Sequence, residues 1–209
     1  MTATLTQPLP AGAVYTNEPL FPLTVDQYHE LIRSGKLTEA DPVELLEGIL
    51  VFKMPKNAPH ATGNALVRRE IESKLPSGWH YRSQEPITLD DGEPEPDGAV
   101  VRGQIEDYAT RHPAAAEVAL VIEVADTSLD RDRGIKLRSY ARAGIAQYWI
   151  VNLIDRQIEA YTDPDPAAAR PTYLRQSVFP VSATLPLTLA GNEAAVVNPA
   201  LLFPSSTRD

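Results

Sequence analysis

The chain has 209 residues, with 28 acidic against 19 basic side chains, a net charge of −9 and no cysteine. A chain of this length buries about 70% of its extended surface, which suits one domain with a real core. The acidic balance argues against broad electrostatic wrapping of nucleic acid and leaves room for a local basic patch. The lack of cysteine excludes disulfides, thiolate metal sites and thiol redox chemistry.

The first residues lack the basic and apolar regions of a secretory leader, and no stretch approaches the roughly 18 uninterrupted apolar residues of a membrane span. A cytoplasmic protein with no membrane partner is expected. Residues 1–22 hold Pro8, Pro10, Pro19 and Pro22 without any periodic pattern, which predicts an extended N-terminal arm. Residues 23–204 are expected to form a single domain and 205–209 a short tail. Thr24-Val25-Asp26-Gln27 matches a capping box, and Val25, Tyr28, Leu31 and Ile32 recur at helical spacing up to Gly35. Val43 to Leu46 and Ile49 to Phe52 flank Glu47-Gly48, a hairpin pattern with Glu44 on its first strand, where by itself it reads as a surface or edge charge.

After Pro55 and Pro59, helical spacing returns from His60 to Leu75, with Val67, Ile71 and Leu75 four apart, and Pro76-Ser77-Gly78 stops it. Trp79 to Leu89 reads as one or two strands broken at Pro86, and Asp90-Asp91-Gly92 as a turn. The alternating prolines of Glu93-Pro94-Glu95-Pro96 keep the backbone extended, so Asp97 is presented at the entry to the strand Gly98-Ala99-Val100-Val101. Tyr108 to Ala116 reads as a helical turn or a loop.

The apolar, β-branched run Val118 to Ile122 reads as a strand covered on both faces, and it delivers Glu123 to its carboxyl end, the edge where open α/β sheets gather ligands. A helix follows, with Ser128 or Asp130 as its cap and Gly144 just past its last turn; Ala146 to Leu153 then forms a second apolar strand, parallel to the first. Tyr148 and Trp149 on it read as core aromatics. Gln157 to Tyr161 and Tyr173 to Val178 read as antiparallel strands joined through Asp163-Pro164-Asp165-Pro166, and a proline-punctuated tail ends at Leu201-Leu202-Phe203.

Asp97 and Glu123 each lie against a buried strand, and the chain between them is long enough to set those strands side by side. Two such carboxylates in one pocket repel by about 4 kcal/mol at 4 Å and an effective dielectric near 20. A divalent cation offsets this, and a hard ion such as magnesium accepts two carboxylates, a backbone carbonyl, waters and a substrate phosphate. Lys136 then supplies a cationic partner, four residues after Asp132 on one helix face. Each residue also has a bland reading: Glu123 as a buried ion pair, Asp97 as a turn residue, Asp132 and Lys136 as a solvated helix pair, and His60 as a structural histidine.

In chain order, V-E-L-L-E-G-I-L (43–50), P-x-x-x-P-H (55–60), E-P-D (95–97), V-I-E-V-A (121–125), D-R-x-x-K-L-x-x-Y (132–140) and A-G-I-A-Q-Y-W-I-V (143–151) resemble the Uma family. This bacterial group is assigned to the restriction-endonuclease-like, PD-(D/E)xK, nuclease superfamily. The resemblance covers roughly residues 23–204. It implies an α/β core, a mixed sheet flanked by helices with added antiparallel strands, and a phosphodiesterase site that uses Mg2+, or Mn2+ in its place. By position it implies that Asp97, Glu123 and the Val124 carbonyl are metal ligands, that Lys136 is catalytic, and that Glu44 and His60 are accessory. The superfamily's usual lysine, two residues after the glutamate, is replaced here by Ala125, so the resemblance implies that the lysine has moved to the helix at Lys136. The expected function is a metal-dependent DNA endonuclease, acting as a homodimer; the alternative is a non-catalytic nucleic-acid or protein interaction domain on the same fold.

Overall fold

The periodicities of the sequence resolve into ten strands and a few short helices in the computed structural model, which describes residues 20–204. The expected arm over 1–22, apart from residues 20–22, and the tail over 205–209 lie outside the described residues. Helix α1 (Val25–Arg33) starts at the Thr24 capping box, both of whose reciprocal hydrogen bonds form, but only Tyr28 on it is buried. Strands β1 (Val43–Leu46) and β2 (Ile49–Phe52) pair as the expected antiparallel hairpin, turning through Glu47 and Gly48, both at positive φ. Helix α2 (Ala58–Glu72) begins earlier than its apolar spacing predicts. The Asn57 side chain accepts from the His60 N–H, and Pro59 suits a first turn whose N–H groups have no helical partner.

A six-stranded sheet follows, built from β3 (Trp79–Arg82), β4 (Gly98–Arg102), β5 (Val118–Ala125), β6 (Gln147–Asn152), β7 (Gln157–Asp165) and β8 (Thr172–Pro180), in that spatial order. β5 and β6 run parallel, as their apolar runs and the intervening helix predict, and every other neighbouring pair is antiparallel. The crossover is one helical run in three parts: α3 (Leu129–Arg131), a π-helical turn (Asp132–Lys136) and α4 (Leu137–Arg142). Gly144, at positive φ, stands just past its end. A separate antiparallel hairpin, β9 (Leu185–Leu189) and β10 (Asn192–Val197), follows the sheet.

Every residue of β5 is buried, because both faces of the sheet are covered. On one face Leu120, Ile122 and Val124 pack with Val67 and Ile71 of α2 and with Leu185, Leu187 and Val197 of the second hairpin. On the other, Val121 and Ala125 pack with Leu137, Tyr140 and Ala141 of α4 and with Tyr148, Tyr161 and Tyr173. Glu123 alternates with Val121 and Ala125 and therefore points to the α4 side.

Several expectations change. Of the stretch from Trp79 to Leu89 only β3 is a strand. The Asp163-Pro164-Asp165 stretch is not a turn: β7 continues through it, with Pro164 opposite Tyr173 of β8. β6 pairs with β7 only as far as Thr162, so Pro164 has no neighbour on that side to which an N–H would donate. Ser128 precedes α3 without capping it.

Candidate active site

Asp97 immediately precedes β4 and Glu123 lies near the end of β5. The register pairs Gly98 with Ile122, so the two acidic residues stand opposite each other across neighbouring strands, on one face. Both line a single pocket, together with Glu44, His60, Asp132 and Lys136. Strand β1 of the separate hairpin, the start of α2 and the crossover helix thus each contribute to the place where the β5 carboxylate emerges.

Asp97 is fixed from three directions. Its Oδ2 accepts from the Val124 N–H at 2.9 Å and from His60 Nε2 at 3.0 Å, and its Oδ1 lies 3.4 Å from Gln84 Nε2. Burial works to raise its carboxyl, but the hydrogen bond and charge of His60 with the Val124 N–H outweigh that and hold it below the ordinary aspartate value. Because the N–H and C=O of one strand residue face the same neighbour, the Val124 carbonyl also faces the Asp97 side, while the Ala125 carbonyl accepts from Leu153 on the β6 side.

Glu123 is held differently. Its Oε1 accepts from Lys136 Nζ at 2.8 Å and from the Tyr140 hydroxyl at 2.7 Å, and burial pushes the carboxyl up to about 8 against the pull of Lys136. Lys136 is 5% exposed. Burial disfavours its charge, but Glu123 and Glu44 together outweigh that and keep the ammonium protonated above the usual lysine range. Glu44 Oε2 lies 3.4 Å from Lys136 Nζ and accepts the Glu95 N–H at 3.0 Å, while Glu44 Oε1 takes the Arg131 guanidinium. The bland reading of Glu44 as a surface charge and of Lys136 as a solvated partner of Asp132 therefore gives way, because the hairpin folds back over the crossover helix and buries both.

By itself Asp132 reads as the solvated helix partner of Lys136. It is buried in the pocket, accepts from Ser128 Oγ at 2.6 Å, and burial raises its carboxyl to about 6. In the π turn the bond from the Leu137 N–H to the Asp132 carbonyl spans five residues, and that wider turn brings Asp132 and Lys136 nearer to one line than an α-helix does. Tyr140 carried a signal that alone was weak: it stands four residues after Lys136, on the same face of the helix. Gln84 and Arg131 carried none, since nothing in the strand and helix patterns around them marks either as facing the pocket.

The donor set fits a hard divalent ion. Among the described residues no three His, Asp or Glu side chains gather as ligands, so an ion here would have Asp97, Glu123 and the Val124 carbonyl to hold it, with water and substrate oxygens completing its shell. Glu123 Oε2 takes no hydrogen bond among the described residues that would compete for it.

Residues 25–196 match the model of the Uma2 family, described as a putative restriction endonuclease. The chain belongs to the Uma2 family. The Uma2 chain is also similar to the crystal structure of a putative nuclease belonging to DUF820 from Anabaena variabilis, with a TM-score of 0.63 and 18% identity over 87% of this chain and 98% of that one. At that identity the likeness is one of fold. No curated protein matches the chain.

Proposed function

We propose that this Uma2 chain is a metal-dependent endonuclease that hydrolyses phosphodiester bonds of DNA through an activated water. The observation that carries the reading is the contact of Lys136 with Glu123 in the pocket that also holds Asp97: the cation absent at Ala125 is supplied from the helix. Asp97, Glu123 and the Val124 carbonyl hold the ion, Mg2+ or Mn2+. Such an ion supplies Lewis-acid stabilisation at the phosphoryl oxygens and a lowered pKa for its water. Lys136, kept charged by its carboxylate neighbours, donates to the attacking water or to the charge that grows on the phosphoryl oxygens. His60 orients Asp97 from α2, Tyr140 orients Glu123, and Glu44 with Arg131 fixes the lysine from the hairpin side.

Two strands are cut by one site only in succession, so a second copy of the chain completes a double-strand cut. Exposed Leu174 and Val178 on the outermost strand β8 support pairing of two copies there. The test is cleavage of supercoiled plasmid in magnesium and in manganese by wild type and by Asp97→Asn, with thermal melts in each ion and light scattering for the oligomer. Cleavage and an ion-dependent rise in melting temperature, both lost in Asp97→Asn, are expected. No cleavage and no ion effect in wild type would overturn the reading in favour of the non-catalytic interaction domain.

A further inference from the structure

The edge strand β3 carries a second constellation away from Asp97. His80 and Arg82 alternate on one face of it and line a cleft of about 630 Å³ with Arg68 of α2, Tyr108 and His112. The Arg82 side chain is only 12% exposed. Its Nε is closed off from solvent without a hydrogen-bond partner, and its one carboxylate neighbour within 4 Å among the described residues is the exposed Glu85, at 3.7 Å, beyond hydrogen-bond length. The guanidinium lies 5.8 Å from the centre of the Tyr108 ring, which offsets part of its burial and supplies no acceptor. His80 differs: Nδ1 donates to the Gly103 carbonyl at 3.0 Å, so the buried, unpartnered Nε2 presents a lone pair rather than an N–H.

A sequestered guanidinium without a hydrogen-bonded acceptor among the described residues carries an uncompensated desolvation cost, and its place in a cleft points to a missing acceptor. An anion that offers several oxygens supplies it, and a guanidinium fork fits phosphate. The cleft also adjoins the catalytic pocket. Gln84 lines that pocket while its chain neighbours Ser83 and Glu85 line this cleft. On α2, His60 belongs to the pocket and Arg68 to the cleft, a separation of about 12 Å along the helix. That span matches roughly three to four nucleotides at about 3.4 Å rise each.

We propose that the β3 cleft is a second anion site in which Arg82 and Arg68 hold a backbone phosphate of the nucleic acid strand whose scissile bond lies at Asp97. The proposal rests on the nuclease reading for the source of the phosphate, and on the geometry alone for the anion. Binding of a labelled DNA duplex is measured by fluorescence anisotropy in EDTA, where no cleavage intervenes, across a salt titration. Arg82→Gln and Arg68→Gln are each expected to weaken binding about tenfold and to lower the salt slope by about one, the signature of one lost phosphate contact. Should Arg82→Gln fail to fold, as judged by its melt, Arg68→Gln carries the test, since that side chain is exposed. Wild-type affinity and slope in the folded variants would overturn the site, and plasmid cleavage by wild type would then still stand for the nuclease reading. If wild type neither binds nor cleaves DNA, calorimetry with inorganic phosphate separates the two: phosphate binding lost in Arg82→Gln keeps the anion site and removes the nuclease, and no phosphate binding removes the site as well.

Discussion

Lys136 shows what burial does to a single residue. As an exposed partner of Asp132 its loss would cost a few tenths of a kcal/mol. In the fold it stands between Glu123 and Glu44, and removing it leaves the buried Glu123 without its cation and Glu44 with Arg131 alone. Lys136→Ala is therefore expected to destabilise by about 3–5 kcal/mol, read as a fall in the denaturant midpoint. If the nuclease reading holds, it also lowers plasmid cleavage about a hundredfold or more at a temperature where the variant is folded. Gly98, next to Asp97, makes a second case. A Cβ there would meet the Tyr81 hydroxyl at 1.9 Å, so Gly98→Ala must displace the buried Tyr81 ring. A loss of about 1–3 kcal/mol is expected, again in the denaturant midpoint.

The π turn is the element that sets the site, and it is tied down on the side away from the pocket. Arg133, within the turn, forks onto Glu159 of β7 at 2.9 and 2.6 Å. Glu159 is 1% exposed and also accepts from Asn152 at 3.0 Å and from the Tyr161 hydroxyl at 2.9 Å. Burial raises its carboxyl, but Arg133, Asn152 and Tyr161 outweigh it and hold the group below the usual glutamate value. Asp132 and Lys136 of the same turn face the pocket, so loosening the fork loosens them. Glu159→Gln keeps the shape and removes the charge. A cost of about 1–3 kcal/mol is expected, together with faster exchange of the amide protons of 132–137, while exchange in β4 stays as in wild type.

For the whole molecule, the acidic groups divide into two sets with opposite pH signs. Asp132, raised to about 6, binds protons more tightly folded than unfolded, so its contribution is present below the unfolded value near 3.9 and is lost as pH rises through 6. Glu123 adds to this with the same sign, up to about pH 8. Asp97, Glu159 and Glu117, the last lowered to about 2 by its Arg111 fork, act the other way: their contribution is present above the unfolded values near 4 and is lost as pH falls through the folded ones. The melting temperature is expected to peak near pH 5, to decline towards pH 8 and to fall more steeply below pH 4. Scanning calorimetry across that range checks it; a flat profile from pH 5 to pH 8 would show that neither Asp132 nor Glu123 is raised.

What the sequence by itself determined was local. The capping box of α1, the hairpin turn at Glu47-Gly48, the strand, helix, strand order of 118–152 and the unusual position of Glu123 after five apolar residues all follow from patterns a few residues long, as does the presentation of Asp97 by alternating prolines. The motif order carried Lys136 and the family, because those spacings are written in the chain. Tertiary structure alone decided which charges are inside. Glu44 looked like an edge charge until its hairpin closed over the crossover, and Asp132 like one half of a solvated helix pair until the π turn pointed it inward. Arg82 and His80 looked like ordinary strand residues until the loop carrying Tyr108 covered them. The physical reason is range: helix and strand periodicity depends on neighbours along the chain, whereas the burial of a charged group depends on segments packed against it from dozens of residues away.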